Sequence, residues 1–307
     1  MLNSGCSSGQ DSEVASTKEI ILDDREYLLV GREITLRNYF QWMDSTLSEV
    51  NLDRLDTISE HELVHANPWI LSALRKTDYY FQAEAGILLN DVLSQEVLFR
   101  NDSLLIPSQK QLEQIRKSLL HTYLDINIPE FRLRIVQHDT SIYDIPIRVG
   151  KNDTTYLEMA GRTIDMRTKP GEGIIIEIIR NPTFINPKDN HIYKSTRRDD
   201  NRITTLPNTP WLLPEINGFD HGQLLHPTTN KRTLGKAASN GCIGMSEADA
   251  WTTYYYAPVG TVVKIRYDLD VVNSGDTITL LDVYPEKSSL FKRISKSMNS
   301  IVICDCN

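Results

Sequence analysis

Apolar residues at Leu36, Tyr39, Phe40, Met43, Leu47 and Val50 recur at mostly three- and four-residue steps, so on a helix they share one face, and Thr35 precedes them as the cap residue. A second helix start is written at Ser59 and Glu62, where hydroxyl and carboxylate can each take a backbone N–H of an opening turn. Pro68 interrupts that segment. Trp69 to Leu74 resumes the helical spacing, and Ser108 with Gln111 opens a further helix through Leu119. The interval then shortens to two. Leu124, Ile126 and Ile128 alternate with other residues, as do Phe131, Leu133 and Ile135, and Ile145, Ile147 and Val149; these read as strands, the last at a sheet edge because Pro146 has no N–H for a ladder. Ile174 to Ile179, Val262 to Tyr267 and Thr277 to Tyr284 read as further strands, and Ser246 to Tyr255 as the one clear helix of this half. The pattern predicts an α+β chain: a polar leader at 1–16, a mostly helical domain at 17–119, a β-rich domain at 120–285 and a basic, polar tail at 286–307.

Composition narrows the function more than the fold. With 307 residues, 40% apolar and 24% charged, the chain is of ordinary globular make-up, long enough for two domains. No apolar run approaches the roughly 18 to 20 residues of a membrane-spanning helix. The 33 basic and 41 acidic side chains leave a net charge of −8, which offers no basic footprint and argues against a nucleic-acid partner. Four cysteines are too few for a disulfide framework, so each is judged by its neighbours. Cys304 and Cys306 sit in a terminal Cys-Asp-Cys and take no role.

The segment Leu225-His226-Pro227, continued by Leu234-Gly235-Lys236-Ala237-Ala238-Ser239-Asn240-Gly241-Cys242-Ile243-Gly244-Met245, carries a nucleophile and a base. A thiol is mostly protonated at neutral pH, so a catalytic cysteine needs an imidazole to take its proton, or backbone N–H groups that favour the thiolate. Asn240-Gly241 is a turn dipeptide, and Gly241 lets successive N–H groups face a developing oxyanion. His226 stands 16 positions before Cys242 and His221 stands 21 before it.

This stretch resembles the signature of L,D-transpeptidases with a YkuD-like catalytic domain, an aliphatic residue and His followed by Ser-x-Gly-Cys-Ile, and the spacing in that family points to His226 as base. Asp125 to Leu133 is similar to the opening strands of its larger periplasmic members, and Gly260 to Ile265 to its closing strand. The resemblance implies acyl transfer through a Cys242 thioester, with Ser239 orienting His226 and the amides of Asn240, Gly241 and Cys242 holding the oxyanion. The implied partner is a peptidoglycan stem peptide, cleaved before its terminal D-alanine and joined to another stem in a 3-3 cross-link, with no cofactor and no metal. Many members carry arginine where Gly244 stands; without it, Arg197, Arg198, Lys236 or His221 would serve the substrate. Hydrolysis at the same site, making an L,D-carboxypeptidase, is the nearest alternative, and a non-catalytic wall-binding scaffold a more distant one. Small residues leading to Cys6 resemble the end of a bacterial lipoprotein signal, which implies a periplasmic or envelope location with membrane anchoring through a lipidated Cys6; a disordered amino terminus is the other reading.

One motif competes. His61-Glu62-Leu63-Val64-His65 reads as the His-Glu-x-x-His of zinc peptidases, with Glu84 as an imaginable third ligand. Pro68 ends the helix that would have to carry it, and the blander reading puts His61 and His65 on a solvated helix face. Trp251 with Tyr254-Tyr255-Tyr256 reads as core packing rather than a sugar platform, and Arg197-Arg198-Asp199-Asp200 as a turn of self-paired charges.

Overall fold

The structure, a computed structural model, describes residues 18–22, 25–186, 189–273 and 275–285. The leader with Cys6 and the tail with Cys304 and Cys306 lie outside the described residues.

Among the described residues the first part of the chain forms five α-helices: α1 (Tyr39–Val50), α2 (Glu60–Ala66), α3 (Pro68–Lys76), α4 (Tyr79–Glu84) and α5 (Gln109–Leu120). The capping box at Ser59 and Glu62 forms as the sequence predicts, with Glu62 accepting from the Ser59 amide at 2.6 Å. The same exchange opens α5, where Gln111 accepts from the Ser108 amide at 2.9 Å. Thr35 does not cap α1. Its N–H and hydroxyl both donate to Asn38 Oδ1, at 2.8 and 3.2 Å, so the chain turns at Asn38, Leu36 stays outside the helix, and Thr35 ends a short strand paired with Glu96–Leu98. The helical reading also missed a small antiparallel sheet in which Arg25–Leu29 lies between Lys18–Leu22 and Ser103–Ile106.

The second part is built on one large sheet. Its strands run in the order Ile243–Met245, Leu225–Pro227, Trp211–Ile216, Gly171–Ile179, Val262–Arg266, Thr122–Asn127, Arg132–Gln137 and Thr140–Pro146. Pro146 stands on the edge strand, as its missing N–H requires. Two neighbouring pairs are parallel, Val262–Arg266 with residues 123–127 and Leu225–Pro227 with Ile243–Met245; the second is the pair that matters for chemistry. The helix α6 (Glu247–Tyr256) follows Met245 directly, with Ser246 Oγ accepting from the Asp249 amide at 3.0 Å.

α6 is where the two parts meet. Trp251, Tyr254 and Tyr255 are buried against Tyr39 and Phe40 of α1, and one hydrophobic core runs through both parts. The Tyr39 and Tyr255 hydroxyls share a hydrogen bond of 2.5 Å, and Tyr255 donates to Glu60 at 2.8 Å. Arg180 of the large-sheet part reaches back to Asp44 at 2.7 Å and Glu60 at 3.1 Å. The helical part is therefore joined to the sheet part through a satisfied polar network inside apolar packing.

Candidate active site

Strand register brings the predicted pair together. Ile243 pairs with Leu225 and Gly244 with His226, so Cys242, immediately before Ile243, stands level with Leu224. Residues two apart on a strand share a face, which sends Leu224, His226 and Cys242 to the same side. All three line one cavity of about 350 Å³, with Arg148, Phe184, Tyr193, Trp211 and Asn240 among its other walls.

Cys242 is half-buried and reduced. Its sulfur accepts from the Leu224 amide at 3.5 Å and lies 4.0 Å from the Gly222 carbonyl; no hydrogen bond joins it to His226 in this resting arrangement. Burial pushes the thiol above the usual thiol range, against the pull of the Leu224 amide and the Arg148 charge. His226 Nδ1 donates to the Pro227 carbonyl at 2.8 Å, which leaves Nε2 as the basic nitrogen, and its ring packs 5.4 Å from that of Trp211. Burial, then the Arg148 charge, pushes the imidazolium down to about 4, while the Pro227 carbonyl acts the other way. The resting pair is a neutral thiol beside a neutral base.

Gly241 takes φ +108°, a conformation a side chain would strain, and its carbonyl is held by Thr168 Oγ1 at 2.9 Å. Among the described residues the amides of Gly241 and Cys242 donate to no other group, which leaves them free for an oxyanion. Ser239 braces this turn: its hydroxyl donates to the Cys242 carbonyl at 2.5 Å and its carbonyl accepts from Lys151 at 3.0 Å. It does not orient His226 as the sequence reading expected, because the Pro227 carbonyl already holds Nδ1.

The four residues expected to serve the substrate scatter. His221 is exposed and lines a separate cleft of about 250 Å³, with Arg162, Arg167, Lys169 and the Asn240-Gly241 turn. Lys236 and Arg197 are exposed and line neither space. Arg198 is fully buried, paired with Glu247 at 2.5 Å and donating to Thr204 at 2.9 Å, so its guanidinium serves the fold. The charges of that turn are not self-paired either: Asp199 and Asp200 accept from the hydroxyls of Tyr80 and Tyr79, each at 2.6 Å. The residue the sequence reading passed over is Arg148, which sits between Ile147 and Val149 and reads there as one more polar position in a strand pattern.

Those tyrosine bonds tie α4 to a loop whose Phe184, Tyr193, Thr196 and Leu206 wall the cavity. Removing both hydroxyls, Tyr79→Phe with Tyr80→Phe, is expected to raise hydrogen exchange in residues 189–206 and to raise KM several-fold with little change in Tm, since each bond contributes about 1 to 3 kcal/mol locally. Unchanged exchange in that loop would mean it is held by something else.

The His-Glu-x-x-His segment is used for packing. His61 contacts the Tyr254 carbonyl at 3.2 Å and the His65 ring lies 4.7 Å from that of Tyr256, both turned inward and not to solvent. Glu62 is engaged by Ser59 and Arg116, and Glu84 pairs with Lys231. Among the described residues no group of three or more His, Cys, Asp or Glu side chains is placed to hold a metal ion.

Residues 121–265 match the YkuD family, the L,D-transpeptidase catalytic domain, and the chain carries that domain behind its helical region. No curated protein sequence matches the chain. Among solved structures, an L,D-transpeptidase from Xylanimonas cellulosilytica is 16% identical, covers 67% of this chain and 93% of its own, and has a TM-score of 0.35. The L,D-transpeptidase LdtMt1 in complex with imipenem is 13% identical over 48% of this chain and 59% of its own, with a TM-score of 0.34. L,D-transpeptidase 3 from Mycobacterium tuberculosis, carrying a faropenem-derived adduct, is 14% identical over 48% and 60%, with a TM-score of 0.33. The chain thus spans about three fifths of the length of the last two.

Proposed function

We propose that the L,D-transpeptidase domain at residues 121–265 is a cysteine acyltransferase of the bacterial cell wall, with Cys242 as nucleophile and His226 as base, and that it joins peptidoglycan stems in 3-3 cross-links. The observation that carries this reading is the shared cavity: a thiol and an imidazole with its Nε2 free open on one space, and the turn that leads into the thiol carries two unpaired amides.

In the first step His226 Nε2 takes the proton of Cys242, and the sulfur attacks the carbonyl carbon before the terminal D-alanine. The carbonyl oxygen gains negative charge at the amides of Gly241 and Cys242. Collapse of this intermediate breaks the C–N bond, and His226 returns its proton to the leaving amine, so a thioester remains. In the second step an acceptor amine loses a proton to His226 and displaces the sulfur, restoring the thiol. Neutral thiol and neutral base are the correct starting forms for this sequence, and the depressed imidazolium keeps the base available.

The test is mass spectrometry of purified muropeptide tetrapeptides incubated with the wild type and with Cys242→Ala. Cross-linked dimers from the wild type alone are expected. Tripeptides without dimers would make the enzyme an L,D-carboxypeptidase, because water then resolves the same thioester. If folded wild type yields neither product, the transpeptidase reading is wrong for this donor. A periplasmic or envelope location, with lipid anchoring through Cys6, goes with this reading; labelling by radioactive palmitate that Cys6→Ser abolishes would establish the anchor.

A further inference from the structure

We propose that Arg148 recognises the free carboxylate at the end of the donor peptide, and that Gly244 is a glycine so that this arginine can cross it to reach the cavity. The proposal rests on the transpeptidase reading and names the group that selects its substrate.

Among the described residues Arg148 is the one Asp, Glu, Lys or Arg side chain in the lining of the cavity that holds Cys242 and His226. It forms no ion pair with any described carboxylate. Among the described residues its side chain has one hydrogen bond, a long one from Nη1 to Thr233 Oγ1 at 3.4 Å, and its shielded Nε has no partner. A guanidinium so far withdrawn from water without a counter-ion is costly, and burial accordingly lowers its hold on its proton. An anion arriving in the cavity would offset that cost.

The backbone fixes where this charge sits. Arg148 N–H donates to the Gly244 carbonyl at 2.8 Å and Gly244 N–H returns to the Arg148 carbonyl at 3.0 Å, which ties the arginine to the strand that starts one residue after the nucleophile. The side chain then runs over Gly244: a Cβ there would come within 2.5 Å of Arg148 Nε and 2.9 Å of its Cγ. Any larger residue at 244 would push the arginine off this path. A glycine in place of the motif arginine thus leaves room for a guanidinium that comes from another strand.

The chemistry sets the identity of the anion. In a tetrapeptide donor the attacked carbonyl and the terminal carboxylate are separated only by the nitrogen and α-carbon of one D-alanine. A guanidinium in the nucleophile's own cavity is therefore placed for that carboxylate, with two N–H groups matching its two oxygens. An enzyme that acts only at a chain end needs such a group, since a neutral cavity would also admit a continuing chain.

The experiment compares kcat/KM of the wild-type chain for two donors, a tetrapeptide with a free carboxylate and the same peptide as its C-terminal carboxamide. The wild type is expected to prefer the carboxylate by roughly tenfold to a hundredfold, the range of a hydrogen bond to a charged group. Arg148→Gln should erase that preference mainly through KM while Cys242 is still alkylated by iodoacetamide, and Arg148→Lys should restore part of it. A wild type that takes the carboxamide equally well overturns the proposal, whatever the variants do. So does Arg148→Gln with the preference intact, or with equal losses on both donors, which would assign the arginine to the oxyanion. Turnover of neither donor by the wild type sinks the transpeptidase reading and this proposal with it, whereas turnover without preference leaves that reading standing.

Discussion

Cys242→Ala is expected to abolish acylation by the tetrapeptide donor, and His226→Gln to slow it by about 10²- to 10⁴-fold, with intact-mass spectrometry of quenched samples following the acyl-enzyme on the full chain. The two effects differ in kind. Without sulfur there is nothing to acylate, whereas without the imidazole a small thiolate fraction still reacts. That fraction is small because burial holds the thiol above its usual range. The pH dependence separates a neutral pair from a preformed thiolate–imidazolium pair. With His226 held to about 4, the base stays free as pH falls from 7 and is lost only as pH passes down through about 4; an ordinary histidine would already be half protonated near 6.5. The neutral pair also predicts that alkylation of Cys242 by iodoacetamide in the wild type is slow at pH 5 and rises toward and beyond the ordinary thiol range. Fast alkylation at pH 5 would mean an ion pair, and the proton transfer proposed above would then have to be dropped.

How much of this was legible before the structure follows from which forces are local. The helix starts at Ser59 and Ser108 were legible because a capping box is written in adjacent residues. The start at Thr35 was misread because Asn38 competes for the same backbone groups, and a sequence does not say which oxygen wins. Trp211–Ile216, a strand well inside the large sheet, went unread because Pro214 interrupts its pattern and lacks the donor a ladder wants. The motif spacing pointed to Cys242 and His226, and strand register sets them on one cavity. The substrate cations went astray for the opposite reason. Arg197, Arg198 and Lys236 lie near the motif in sequence, yet which guanidinium faces a cavity depends on contacts over long separations, Arg148 with Gly244 and Arg198 with Glu247.

Glu247→Ala is the substitution expected to cost the fold most. Arg198 and Glu247 are both buried, and their ion pair is the fixed point from which the cavity-wall loop, α4 and α6 are hung: Arg198 also stacks 4.4 Å over Tyr79, whose amide donates to Glu247 at 3.3 Å. Removing the carboxylate leaves a guanidinium inside the protein without a counter-charge, a loss of about 3 to 5 kcal/mol, which on a domain of this size is a fall in Tm on the order of ten degrees. Burial pushes Glu247 up to about 7 in spite of Arg198, so the pair is fully ionised only above that, and calorimetry near pH 8 gives the cleanest reading. Replacing both partners at once, Arg198→Met with Glu247→Leu, removes the unpaired charge as well as the pair and is expected to return most of the lost stability. The same double variant separates a structural arginine from one that binds substrate. If Arg198 serves only the fold, the doubly substituted enzyme keeps a near wild-type KM for the tetrapeptide. A KM raised tenfold or more in a protein of recovered Tm would return Arg198 to the substrate site and take that task away from Arg148.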